Sequence, residues 1–87
     1  MKIKDGFVKC KVGDKFLVVT TGSLGKENNI MIELNETSSY IWDFVADGLS
    51  AEQIADKLVE MYGIPLEKAQ QDTEKIIGNM MQAGVFE

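Results

Sequence analysis

The stretch ELNETSSYIWDFVADGLSAEQI, residues 33–54, decides the fold. It runs the end of an apolar strand into a helix, closes that helix at "DG" and caps the next one at once. Asn35 has the side chain of an N-cap. Thr37, Tyr40, Ile41, Phe44 and Val45 then recur at three- and four-residue spacing, which predicts an amphipathic helix over 36–46. Gly48 suits the left-handed position beyond its last turn. Ser50 and Gln53 are spaced as a capping box, so a second helix is predicted over 51–62, with Ile54, Ala55, Leu58, Val59 and Tyr62 as its apolar stripe.

Upstream, the period is two. "GFVKCKV" (6–12) alternates and predicts a half-buried strand, with Val8, Cys10 and Val12 on the buried face and Lys9 and Lys11 outward. Cys10 is then a small buried hydrophobe. Gly13-Asp14 signals a hairpin, and "KFLVVTT" (15–21) is the returning strand. After the polar loop "GSLGKENN" (22–29), "IMIEL" (30–34) is a third strand. Ile30, Ile32 and Leu34 share one of its faces, and Met31 and Glu33 share the other. Downstream, "GIP" (63–65) breaks the chain. Leu66, Ala69, Thr73, Ile76, Ile77 and Met80 line a long third helix over about 65–83, ended by Gly84. Strands first and helices after predict an α+β fold in one domain, 1–87. A three-stranded antiparallel sheet is followed by three helices, in a winged-helix-like arrangement.

The composition excludes more than it proposes. The 87 residues contain no His, one Cys and no Arg. The usual general base and the commonest metal ligand are absent, so no catalytic or metal-ligating residues and no cofactor are expected. "GSLGKENN" lacks the spacing of a phosphate loop. Residues 1–26 hold six Lys against Asp5 and Asp14, whereas residues 27–87 hold three Lys against twelve acids. That acidic half argues against nucleic acid. A single Cys fits a reducing compartment, and the cytoplasm is expected. No apolar run approaches the ~20 residues of a membrane span, so no membrane association is expected.

The ordered set Leu34, Asn35, Thr37, Ile41, Trp42, Gly48, Ile54, Leu58, Tyr62, Asp72 and Gly84 resembles the PqqD family, the small proteins of pyrroloquinoline quinone (PQQ) biosynthesis and their relatives. The likeness covers about residues 6–87. The third helix departs from the family look at Thr73, where relatives often carry a larger aliphatic, and at Met80 and Met81, where they carry Leu. The resemblance implies a RiPP recognition element. Such a domain has no activity of its own. It binds the leader of a ribosomally made precursor peptide and presents it to a modifying enzyme, in the PqqD case a radical SAM protein.

The resemblance also implies where the peptide lies: as a strand added to the third strand, in a cleft beside the third helix. The expected peptide-binding residues are Ile30, Met31, Ile32, Glu33, Leu34, Ile76, Ile77, Met80 and Met81. Ile77 and Met81 lie four apart on one flank of the helix, and their apolar excess makes that flank a candidate groove wall, with the opposite flank left open as the alternative. Ile76 and Met80 lie toward the other. Trp42 reads as core packing. Asp72 is either a solvated helix residue or a partner for a ligand cation.

Two rivals remain at this stage. A winged-helix DNA-binding regulator would read with its third helix, yet "PLEKAQQDTEKIIGNMMQAG" holds two Lys against three acids. A carrier domain needs a Ser at a helix start, and Ser23 lies in a loop between strands.

Overall fold

The computed structural model describes residues 2–21 and 31–87. The loop 22–29 and Ile30 lie outside the described residues. Three strands, β1 (Phe7–Val12), β2 (Lys15–Thr20) and β3 (Met31–Leu34), precede three helices, α1 (Glu36–Ala46), α2 (Ala51–Tyr62) and α3 (Leu66–Gln82). The sheet is antiparallel in the order β1-β2-β3. The helices pack on one face of it, giving the α+β arrangement.

The local signals act through definite bonds. The Asn35 side chain accepts from the Ser38 N–H at 2.8 Å and starts α1. The Gln53 N–H donates to Ser50 Oγ at 3.2 Å while the Gln53 side chain accepts from the Ser50 N–H at 2.9 Å, completing the capping box of α2. Pro65 stands at the N-cap of α3, outside its first turn. α1 and α3 end alike. The N–H of Leu49 reaches Phe44 O and that of Gly48 reaches Val45 O; Val85 likewise reaches Met80 O and Gly84 reaches Met81 O. These are Schellman closures, and they need the positive φ that Gly48 (+89°) and Gly84 (+74°) supply.

The core joins Val18 and Leu34 of the sheet to Ile41, Trp42 and Val45 of α1. Ile54 and Leu58 of α2, Ala69, Ile77 and Met80 of α3, and Val85 complete it. Trp42 meets the ring of Phe7 edge-on at 6.1 Å. The chain ends meet as well: Ile3 bridges Phe86, and the Lys4 N–H donates to Val85 O at 2.8 Å. Nothing in the periodicity announces that bridge. The α1 stripe is rotated from the expected one. Its buried residues are Ser38, Ser39, Ile41, Trp42 and Val45, while Tyr40 is exposed and stacks beside Phe44. In α2 and α3, Tyr62 and Leu66 are also exposed.

β1 buries the opposite face from the one its alternation predicts. Lys9 pairs with Val18, which is fully buried, so Lys9 lies on the helix-covered face. Val8, Cys10 and Val12 point the other way and are exposed. The physical reason is the two-residue turn. It pairs Val12 with Lys15, so each β1 residue must share the face of its β2 partner. Phe16, Val18, Ile32 and Leu34 claim the inner face, and the lysines of β1 follow. Lys9 is accommodated by its stem: Nζ reaches out to both Asp43 carboxylate oxygens at 2.7 Å and to Ser39 Oγ at 2.8 Å, near the face of Phe16.

Thr73 sits 1% exposed in the α3 stripe, and its Oγ1 has no hydrogen-bond partner. A buried hydroxyl left unpaired costs about 1–3 kcal/mol. Thr73→Val removes that hydroxyl at nearly constant shape. It is expected to raise unfolding stability by about 1 kcal/mol, read as a several-degree rise in Tm.

Candidate functional site

The backbone hydrogen bonds of β3 follow from the same turn. A two-residue hairpin makes its flanking pair, here Val12 and Lys15, a hydrogen-bonded pair. Antiparallel pairs then alternate. Cys10–Leu17 and Val8–Val19 bond across β1–β2, and the series continues in the Thr21 N–H to Gly6 O bond at 2.7 Å. The backbone groups of Phe16 and Val18 therefore point to the other neighbour, where they meet Leu34 and Ile32. This leaves Met31 and Glu33 with N–H and C=O directed away from the sheet. No described strand pairs with that edge. Their side chains are exposed, Met31 at 72% and Glu33 in a 3.1 Å ion pair with Lys15.

Beside this edge, on the helix-covered face, α3 stands off from β3 and leaves a cleft. Its apolar part is a hollow of about 140 Å³ between Ile32, Leu34 and Ser38 on one wall and Ile76, Met80 and Ala83 on the other, with Glu33 and Asn79 also bordering it. A polar hollow of about 190 Å³ adjoins it through the shared Ser38 and Ile76, and extends to Asn35, Thr37, Asp72 and Lys75. The two form one trough, apolar toward the C-terminal end of α3 and charged toward its middle. Asp72 is half-buried there and pairs with Lys68 at 3.4 Å. A larger hollow of about 480 Å³ lies between the hairpin tip and α1, lined by Lys11, Asp14, Glu36 and Asp43 among others. It does not adjoin the open strand edge.

Of the residues anticipated here, Met31, Ile32, Glu33 and Leu34 form the edge strand, and Ile76 and Met80 face it across the cleft. Ile30 is outside the described residues. Ile77 and Met81 do not stand where the apolar excess pointed: Ile77 is in the core, 8% exposed, and Met81 is 65% exposed and borders neither hollow. The reason is the phase of α3. Ala69, Thr73, Ile77 and Met80 form the buried stripe, so the flank carrying Ile76 is the one turned to β3. Ser38, Asn79 and Ala83 were not anticipated. Asp72, Ile76, Asn79 and Ala83 recur at helical spacing, but that signal is readable only once the phase is known.

An unpaired strand edge with a parallel trough is the geometry of a module that adds an extended peptide to its sheet. Residues 23–85 match the family of coenzyme PQQ synthesis protein D (PqqD), and the chain belongs to it. Two solved structures share the fold. "TbiB1 in Complex with the TbiA(beta) Leader Peptide" superposes with a TM-score of 0.80 at 20% identity, over 100% of this chain and 95% of that one. "Lasso peptide synthetase B1 complexed with the leader peptide" gives 0.79 at 17%, over 97% and 93%. No curated protein matches the sequence. Among the described residues, no helix is long and apolar enough to cross a membrane, and no cluster of His, Cys, Asp or Glu is arranged to hold a metal.

The assignment of the two flanks of α3 is testable by stability alone. Ile77→Ala is expected to cost about 2–4 kcal/mol in urea unfolding. Met81→Ala should stay within about 0.5 kcal/mol of the parent.

Proposed function

We propose that this protein is a non-catalytic module that binds the leader segment of a ribosomally made precursor peptide and hands it to a peptide-modifying enzyme. In a PQQ-like pathway that enzyme is a radical SAM protein; in another RiPP pathway it is the corresponding modifying enzyme. The observation that carries this reading is the outward backbone of Met31 and Glu33 beside the apolar trough. An added strand takes affinity from those backbone groups and specificity from alternate side chains entering the trough. Ile76 and Met80 would meet an apolar leader residue, and the flexible thioether of Met80 adapts to its shape. Family membership supports the reading, as do the leader peptides in the two structurally similar complexes. The peptide-binding set is then β3 with Ile76 and Met80. The helix carrying Lys68 and Lys75 also holds Glu67, Asp72 and Glu74, which disfavours duplex binding.

The test is calorimetric titration with the leader of a candidate precursor peptide, sought among the open reading frames beside this gene. Glu33→Pro removes an outward N–H and spares the inner ladder, so the domain should fold and bind at least about tenfold more weakly. Ile32→Pro removes an inward N–H and should instead destabilise the fold. Ile76→Glu sets a charge against an apolar residue and should cost about 2 kcal/mol, roughly thirtyfold in affinity. Met81→Glu should bind like the parent. If folded Glu33→Pro and Ile76→Glu variants both bind like the parent, the site is elsewhere.

Random duplex DNA in a mobility-shift assay at physiological salt should show no complex. Salt-dependent micromolar binding would revive the regulator reading.

A further inference from the structure

The polar end of the trough holds a set of donors with nothing to donate to. Its hollow of about 190 Å³ is lined by Asn35, Thr37, Ser38, Asp72, Lys75 and Ile76. The first three are the N-cap and first turn of α1, an 11-residue helix. The cap satisfies the Ser38 N–H, whereas the N–H groups of Glu36 and Thr37 have no partner among the described residues. Such groups point back along the axis and form the positive end of the helix. Ser38 is an independent sign of a ligand. It is only 5% exposed, it borders both hollows, and its hydroxyl makes no hydrogen bond among the described residues. Unlike Thr73 Oγ1, that hydroxyl is not sealed in the core, so it opens on the trough.

Charge selects what fits. Asp72 is already offset by Lys68 at 3.4 Å. Lys75 makes no ion pair among the described residues. Glu36 borders the hairpin-tip hollow instead, and Glu74 borders a hollow on the α2 side. An uncompensated ammonium, a free hydroxyl and a helix N-terminus therefore converge here, on a chain of net charge −5. Resting on the added-strand reading above, we propose that this hollow is an anion subsite that takes an Asp or Glu side chain of the bound leader.

The trough also fixes where that residue stands. β3 and α3 run in opposite directions along it: Leu34 leads to Asn35 at the polar end, and Ile32 borders the apolar end. A strand added antiparallel to β3, the stronger pairing, runs from the polar hollow to the apolar one. The two hollows are centred about five residues apart on α3, roughly 7–8 Å. Alternate residues of a strand are about 7 Å apart. An apolar cavity of about 150 Å³ holds a benzene ring, so the hollow of about 140 Å³ takes one side chain of Leu to Phe size. The recognised leader then reads acid, any residue, apolar, from its N-terminal side.

The experiment uses capped synthetic heptapeptides, Thr-Thr-X-Thr-Leu-Thr-Thr with X as Glu, Gln or Lys, titrated into the full labelled chain by NMR. The Glu peptide should bind about tenfold more tightly than the Gln peptide and shift the amides of residues 36–38 and 75. Its advantage should shrink in high salt. Reversing the order, with Leu before Glu, should abolish it. Ser38→Ala and Lys75→Gln should each cut the advantage severalfold while leaving the Gln peptide within twofold of its affinity for the parent. Lys57→Gln, an equal charge change on α2, should leave the advantage intact. Equal binding of the three peptides at the β3 edge overturns the anion subsite and leaves the added-strand reading standing. So does preference for the Lys peptide, which would give the hollow to Asp72. Failure of all three to bind overturns both.

Discussion

A turn of two residues leaves no slack in the pairing that follows it. Gly13 takes φ +65°, as a glycine does at the first central position of a tight hairpin turn, and Val12 is locked opposite Lys15. From that one pair the side-chain face of every residue in β1 is set by its partner in β2. The direction of every backbone amide is set by alternation. β3 inherits both through its register with β2, in which Val18 faces Ile32. The edge at Met31 and Glu33 is open because a turn more than fifteen residues earlier permits one register.

The same constraint explains what looks like a misplaced charge. Lys9 is under the helices because Val18 and Phe16 must be, and a register slip that freed Lys9 would expose Val18. The helix layer answers with groups suited to a cation. Asp43 and Ser39 project from α1 where the Lys9 stem ends, and the Phe16 ring lies under the ammonium. Asp43 remains half exposed, so the pair is partly screened and acts chiefly as a clip between β1 and α1. The outward valines are the other half of the same arrangement.

The trough depends on a second constraint, the rotation of α3 about its axis. A short Schellman closure at Gly84 turns the chain so that Val85 enters the core and Phe86 meets Ile3. Both ends of the chain thereby hold the last turn of α3. With Ala69, Thr73 and Ile77 inward, Ile76 is presented to β3 and Met81 to solvent. A helix rotated by one residue would bury Met81 and turn Ile77 toward β3 in place of Ile76.

The sequence by itself determined the elements and the class of fold. Asn35, the Ser50–Gln53 box and the glycines at 48 and 84 act on their nearest neighbours, and local chemistry is readable without knowing what lies across the core. It also pointed to the PqqD family and to β3 as the edge of interest. Only the tertiary structure decided which face of each element is buried. Period two alone put Cys10 rather than Lys9 on the buried face of β1, but β2 offers apolar residues on both faces, and its register with β1 and β3 decided for the face of Val18 and Leu34. Ile76 and Ile77 are equally apolar and adjacent, so period 3.6 could not say which lines the trough. That was settled by packing across the whole core, a sum over residues far apart in the chain that no window of sequence contains.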